Sequence, residues 1–191
     1  MLWRTGRQVN ESRRVARSQR IVSVTSPFHK RQQLYSTAVL MMTLTQYVTH
    51  RLGTTPREQA INFLGRPLGA KSLSGFWQYW NPVWSYFLLF FCYRLLRRSL
   101  PRWLSVVLTF FLCGLLHDLP IGILSYAKAG RPPYFTITVF LTLNGLLVVL
   151  SEKAGFRLTR IPTGMRWLTH VAILVACYLA ALHLTTWIAI G

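Results

Sequence analysis

The residues best suited to chemistry in this chain are a histidine and an asparagine that border apolar runs. His117 lies in FFLCGLLHDLPIG next to Asp118, the only Asp in the chain, and Asn81 ends SLSGFWQYWN. An ionisable side chain within an apolar span is costly and commonly marks a functional site. A neutral imidazole can take a proton from a hydroxyl group, and an amide can orient that hydroxyl or stabilise an oxyanion. These residue types predict transfer to a hydroxyl acceptor, with His117 as general base and Asn81 assisting.

Each of these residues also has a simpler interpretation. Asn81 precedes Pro82, and Asn at the N-cap followed by Pro at the first helical position is an ordinary helix start. His117 and Asp118 would then lie at a membrane interface beside Pro120. The aromatic residues around Asn81 are typical of an interfacial belt: Phe76, Trp77, Tyr79, Trp80 and Trp84.

Helix geometry favours the chemical interpretation. The segments 82–97 and 102–124 flank RRSLPR, which predicts an antiparallel helical hairpin centred near Ser99. Asn81 lies 18 residues before Ser99, and His117 lies 18 residues after it. At about 1.5 Å per residue, both would lie at similar depth, roughly 25 Å from the turn of the hairpin. A site that contains both residues suits a two-sided acyl transfer, with the donor held on one side of the membrane.

A cluster of arginines surrounds the predicted turn and suggests how the donor is held. Guanidinium groups bind phosphates through paired hydrogen bonds, so these residues are expected to grip the phosphates of acyl-CoA, the donor substrate: Arg94, Arg97, Arg98 and Arg102. No permanently bound cofactor is expected. No metal site is expected either, because Cys92, Cys113 and Cys177 lie in apolar runs without metal-type spacing.

The composition predicts an all-α integral membrane protein. Hydrophobic residues make up 52% of the chain although its net charge is +18. The apolar segments predict about five transmembrane helices (four to five): 34–50, 82–97, 103–124, 133–151 and 167–190. Segment 34–50 either spans the membrane or lies in its interface, because Thr, Ser and Gln interrupt it. Segment 82–97 would be about 24 Å long, short of the roughly 30 Å hydrocarbon core.

The basic residues predict the orientation and the partners. With five spans, 16 of the 22 Lys and Arg residues fall on the side of the N-terminus, which predicts a cytoplasmic N-terminus and a C-terminus on the opposite side. Residues 1–33 read as a basic, disordered arm or as an organelle transit segment, and residues 34–191 as the transmembrane domain. Anionic head groups of membrane lipids are the expected partner of the basic residues. Nucleic acid is not expected, because no basic folded face or binding motif is present.

Two segments resemble a known family. FLGRPLGAKSLSGFWQYWN and FFLCGLLHD are similar to the core of the membrane-bound O-acyltransferases (MBOAT), particularly their wax synthase and sterol acyltransferase branch. There, Ser-x-x-x-Phe-Trp-x-x-Trp-Asn precedes Gly-x-x-His. The matching positions within the covered region, 62–124, are Ser72, Phe76, Trp77, Trp80, Asn81, Gly114 and His117. The resemblance implies that His117 is catalytic, that Asn81 is its partner, and that acyl-CoA donates to a hydroxyl acceptor such as a lipid, an alcohol or a sugar.

The chain also departs from that family. Family members have more spans, several of them ahead of this motif block, and they carry Glu or Gly more often than Asp at the position of Asp118. We therefore expect a reduced member of the family. The alternatives are a fragment, or a non-catalytic remnant or small accessory subunit that binds lipid or partner helices. The sequence leaves open whether a second copy or a partner membrane subunit supplies the helices that the chain lacks.

Overall fold

A computed structural model of the chain describes residues 42–129 and 135–190. Within these residues all regular secondary structure is helical, which confirms the all-α prediction. The predicted arm at 1–33 and the first part of the predicted span 34–50 lie outside the described residues. In chain order the helices are α1 (Leu44–Leu52), α2 (Pro56–Leu68), α3 (Leu73–Tyr79), α4 (Pro82–Phe87), a π-helical segment (Leu88–Tyr93), α5 (Arg94–Ser99), α6 (Arg102–Ala129), α7 (Thr136–Lys153) and α8 (Thr163–Ile190).

Three helices, α6, α7 and α8, are long and apolar enough to cross a membrane. They coincide with three of the predicted spans: 103–124, 133–151 and 167–190. Only 28%, 33% and 22% of the residues in their most apolar windows are buried. Most residues in these windows are therefore at least partly exposed, as they are in helices that contact lipid.

The other two predicted spans take different forms. Helix α1 covers only the second half of segment 34–50 and is 9 residues long. Segment 82–97 is one uninterrupted helical path through α4, the π-helical segment and α5, because the backbone stays right-handed helical at Leu88 and at Arg94. This path covers 18 residues, about 27 Å, and three arginines occupy its last turns. A count of five spans stays a prediction.

Helices α6 and α7 pack closely because glycines leave room at their interface. A methyl group added to Gly114 would overlap the Cα of Thr138 and would lie 3.0 Å from the nitrogen of that residue. A methyl group added to Gly145 would lie 2.9 Å from the Cβ of Phe110. Small residues allow this approach of two helices in membranes, where dispersion contacts drive association. The glycine of the Gly-x-x-His motif thus has a packing role.

Asp118 joins the same two helices at one end. Its side chain is 4% exposed. Its Oδ2 accepts hydrogen bonds from the Thr138 nitrogen at 2.6 Å and the Thr138 hydroxyl at 2.7 Å, and its Oδ1 accepts from the Ile137 nitrogen at 3.3 Å. The first N–H groups of a helix lack partners within the helix, and a carboxylate suits them. Asp118 therefore caps the buried start of α7, and its position relative to the membrane interface stays a prediction.

The segment that precedes α3 is attached to α8 through backbone carbonyls. The Arg166 guanidinium donates to the Gly69 carbonyl at 2.9 Å, and the His170 Nδ1 lies 3.1 Å from the Leu68 carbonyl. The Leu158 nitrogen also donates to the Lys71 carbonyl at 2.9 Å. These bonds hold the start of the aromatic motif against the last long helix and against the connection that precedes it.

Gly114→Ala should lower the stability by about 1 to 3 kcal/mol, because the added methyl group must push α6 away from α7. Gly65→Ala is the matched control on α2, where no atom lies within 4 Å of the new methyl group. It should be neutral or stabilising by up to about 1 kcal/mol, since alanine loses less backbone freedom on folding. Thermal melting of both purified variants in one detergent measures the difference. A wild-type melting temperature for Gly114→Ala would contradict the close packing.

Asp118→Ala should destabilise the protein by about 3 kcal/mol, because it leaves buried donors on Ile137 and Thr138 without an acceptor. Thr138→Val removes only one of the three hydrogen bonds, so its effect should be smaller. Asp118→Asn keeps one amide oxygen as acceptor and should fall between the two. Thermal melting again gives the ranking, and a wild-type stability for Asp118→Ala would refute the capping role.

Candidate active site

A cavity of about 540 Å³ lies among the helices, and both Asn81 and His117 line it. Along α6 the lining residues run from Arg102 to His117, a separation of 15 residues or about 22 Å. The middle of the cavity is apolar, with walls that include Leu88, Leu89, Val106, Phe110, Leu141 and Val148. Two residues 36 positions apart in the sequence, both of them exposed, therefore line one open cavity with mostly apolar walls.

The hydrogen bond of His117 determines which ring nitrogen can act as a base. Its Nδ1 lies 2.7 Å from the Cys113 carbonyl oxygen. A carbonyl only accepts, so Nδ1 must carry the hydrogen, and in the neutral ring Nε2 holds the lone pair. Among the described residues, no hydrogen bond engages Nε2. His117 is thus held in the tautomer that a general base toward a bound hydroxyl requires.

Trp84 attaches the Asn81 motif to the His117 motif. Its indole nitrogen donates to the Cys113 sulfur at 3.0 Å. Its ring meets the His117 ring edge to face, with centroids 5.3 Å apart. Trp84 lies in the first turn of the helix that Asn81 begins, so this contact places the start of α4 beside the imidazole. The hairpin geometry had suggested this proximity.

The oxygen and the nitrogen of the Asn81 side-chain amide differ in their hydrogen bonding. Its Oδ1 accepts a hydrogen bond from the Trp84 nitrogen at 3.2 Å, with Pro82 as the first residue of α4. Its backbone is left-handed, with φ 40° and ψ 76°, a conformation that Asn tolerates better than most residues. Within the described chain, no hydrogen bond engages the Nδ2 group. The N-cap interpretation and the chemical interpretation are therefore compatible, because the oxygen caps the helix and the amide nitrogen remains able to donate.

One residue of the aromatic motif, Phe76, is packed inside the protein, and its other aromatic residues are partly exposed. Phe76 is completely buried, and its ring stacks on the His170 ring and on the Trp80 ring, with centroids 5.2 Å and 5.5 Å away. Trp77 meets the Phe110 ring edge to face at 5.1 Å. The interpretation of Phe76 as part of an interfacial belt is therefore wrong. Its ring, with that of Trp77, supports one wall of the cavity.

Some buried polar atoms of the described residues lack a hydrogen-bond partner within the protein. These three atoms are Trp77 Nε1, Asn144 Oδ1 and His170 Nε2. His170 is fully buried and donates from Nδ1 to backbone carbonyls. Sequence reasoning did not select His170, since its contact with Phe76 joins residues that are 94 positions apart. Nothing in the local pattern around His170 indicates that contact.

The predicted phosphate-binding arginines lie around the turn of the hairpin. Arg102 lines the cavity, but it forms an ion pair with Glu152 at 3.0 Å. Arg94 lies over the Phe90 ring, and Arg97 donates to the Leu100 carbonyl. Of the four arginines, only Arg102 lines the cavity, at the end opposite His117.

Sequence reasoning missed another cation of the cavity. Arg51 lines it together with Gln78, near Asn81. In the sequence, Arg51 follows an apolar run and looks like an ordinary loop charge, so no local signal identified it. Among the described residues, no group of His, Cys, Asp and Glu could hold a metal ion.

Comparisons with protein-family models, with curated proteins and with solved structures found no match. The resemblance to the membrane-bound O-acyltransferases therefore rests on the motif residues themselves.

Proposed function

We propose that the protein is a membrane-bound acyltransferase that moves an acyl group from acyl-CoA to a hydroxyl acceptor. One observation carries the proposal: Asn81 and His117 line the same cavity, and the bond from His117 Nδ1 to the Cys113 carbonyl leaves Nε2 as the basic nitrogen. The motif resemblance supports the same reaction.

In the proposed reaction, His117 Nε2 removes the proton of the acceptor hydroxyl while the hydroxyl oxygen attacks the thioester carbonyl. The negative charge that develops on the carbonyl oxygen is stabilised by the Nδ2 group of Asn81. Collapse of the tetrahedral intermediate forms the ester bond and breaks the carbon–sulfur bond. The departing coenzyme A thiolate then takes the proton from His117, which restores the neutral imidazole.

The shape of the cavity suits this substrate. The arginines at the turn lie at the Arg102 end, about 22 Å along α6 from His117. Phosphates held there would let the pantetheine arm of acyl-CoA run along the apolar interior to the imidazole. Arg94, Arg97 and Arg98 are the residues of this turn without a carboxylate partner among the described residues, since Glu152 pairs with Arg102.

We further propose that the chain crosses the membrane five times, with a cytoplasmic N-terminus. The three long apolar helices and the distribution of Lys and Arg support this arrangement. The helical path from Pro82 to Ser99 is then a short span, and its π-helical segment packs against α6.

A second candidate function is that of an accessory membrane subunit without catalysis. The outward-facing apolar surface favours it, because Leu168 is 71% exposed and Trp187 is 68% exposed on α8. Such a surface contacts either lipid or the helices of a partner protein. Catalysis by the purified chain separates the two candidates.

His117→Gln should reduce acyl transfer by about 10² to 10⁴, the usual contribution of a positioned base. His183→Gln is the matched control, because His183 is an exposed histidine on α8 that does not line the cavity. Transfer from labelled acyl-CoA to a series of alcohols by the purified proteins gives both rates. Full activity of His117→Gln would exclude the proposed base. Absence of transfer by the wild type to every acceptor would favour the accessory role.

Asn81→Asp separates helix capping from chemistry. Aspartate caps a helix as well as asparagine does and also tolerates left-handed backbone, but its carboxylate has no N–H donor. The variant should melt within a few degrees of the wild type and should lose about 10²-fold or more in transfer rate, as expected for a lost oxyanion donor. Retained activity at wild-type stability would show that Asn81 only caps α4.

A further inference from the structure

Arg51 is held in the cavity wall by two tyrosine rings. The centre of its guanidinium group lies 5.1 Å from the ring centroid of Tyr47 and 5.1 Å from that of Tyr79. A planar, weakly hydrated guanidinium stacks well on aromatic faces. A side-chain hydrogen bond also joins the guanidinium to the Tyr47 hydroxyl, and the remaining N–H donors of its five are available for a ligand. Since Tyr79 precedes Asn81 by two residues, the cation lies at the Asn81 end of the cavity.

Among the described residues Arg51 lacks an anionic partner, because the few carboxylates there are engaged elsewhere. The sequence contains 4 acidic residues and 22 basic ones. Three of the acidic residues are described, and each is engaged: Glu58 at the start of α2, Asp118 at the start of α7 and Glu152 with Arg102. Within the described residues, Arg51 therefore has no carboxylate within ion-pair distance.

The two arginines that line the cavity thus differ in charge balance. Arg102 is neutralised by Glu152 at 3.0 Å, whereas Arg51 presents a net positive charge to a largely apolar space. A partly buried charge is stabilised by an anion that forms hydrogen bonds with it. Polar groups of Ser74, Gln78 and Asn81 line the same part of the cavity. This end of the cavity is therefore suited to an anionic group that is joined to an apolar chain.

We propose that Arg51 binds the phosphate or carboxylate head group of an amphiphile whose chain lies at the Asn81 end of the cavity, away from the Arg102 end at which the acyl-CoA donor is proposed to enter. The recognition of this head group does not depend on catalysis. One extension does rest on the proposed acyl transfer: the anionic amphiphile would be the hydroxyl acceptor, held with its head group beside Asn81.

The test compares dodecyl phosphate with dodecanol, which has the same chain and no charge. Both are titrated by calorimetry into the purified full-length chain in nanodiscs of neutral lipid. The wild type should bind dodecyl phosphate more tightly than dodecanol. Arg51→Gln should weaken the binding of dodecyl phosphate by about 10-fold to 100-fold, the contribution of a charge-assisted hydrogen bond. It should leave the affinity for dodecanol unchanged.

Two further variants control for misfolding and for the loss of a positive charge at the protein surface. Arg51→Lys keeps the charge but loses the planar fork, so its affinity for dodecyl phosphate should lie between those of the wild type and Arg51→Gln. Arg57→Gln removes an exposed arginine on α2 that does not line the cavity, and it should leave both affinities unchanged. Melting temperatures are recorded for every variant.

Equal affinities of the wild type for the two ligands would overturn the proposal. An equal fall in the affinities of Arg51→Gln for both ligands would also overturn it, because Arg51 would then only support the packing of the tyrosines. Competition distinguishes the sources of the anion. Displacement of dodecyl phosphate by an equal concentration of inorganic phosphate would refute an amphiphile site, because the chain would then add no affinity. Displacement by coenzyme A would refute the acceptor assignment, because donor and acceptor must bind together. The phosphate preference should persist in His117→Gln, so loss of acyl transfer and loss of anion binding are separate outcomes.

Discussion

The close contact between α6 and α7 is the constraint on which the arrangement of the site depends. Gly114 allows α6 to approach the backbone at Thr138, and Asp118, one turn later, caps the start of α7. Residues four positions apart share a face of a helix. The neighbouring pair, Cys113 and His117, therefore lies on an adjacent face of α6, where Trp84 contacts both residues. Tight packing on one side of α6 thus presents the imidazole on the other.

This division explains why two adjacent ionisable residues have different roles. Asp118 is buried and receives three hydrogen bonds from α7, whereas His117 lines the cavity and uses a carbonyl of its own helix. A buried carboxylate is tolerated because several donors surround it. The histidine needs no carboxylate to set its tautomer, since the Cys113 carbonyl already does so. The His–Asp sequence is therefore not a catalytic pair.

The small number of acidic residues determines the charge of the cavity. In the described part of the chain, every carboxylate is engaged with a helix start or with Arg102. Arg51 contacts the rings of Tyr47 and Tyr79 and no carboxylate of the described residues. It therefore places a positive charge in a cavity with mostly apolar walls. Charge balance across the whole chain, more than any local motif, makes this end of the cavity a site for anions.

Features that depend on neighbouring residues were determined by the sequence alone. The three long helices follow from the length and apolarity of their segments, and the Asn81–Pro82 pair begins a helix because both act on the adjacent backbone. The tertiary structure decided the partner of Asp118, the burial of Phe76 against His170 and the presence of Arg51 in the cavity. These contacts join helices that are far apart in the chain. Periodicity shows which residues share a helix face, but the packing of whole helices determines what that face meets.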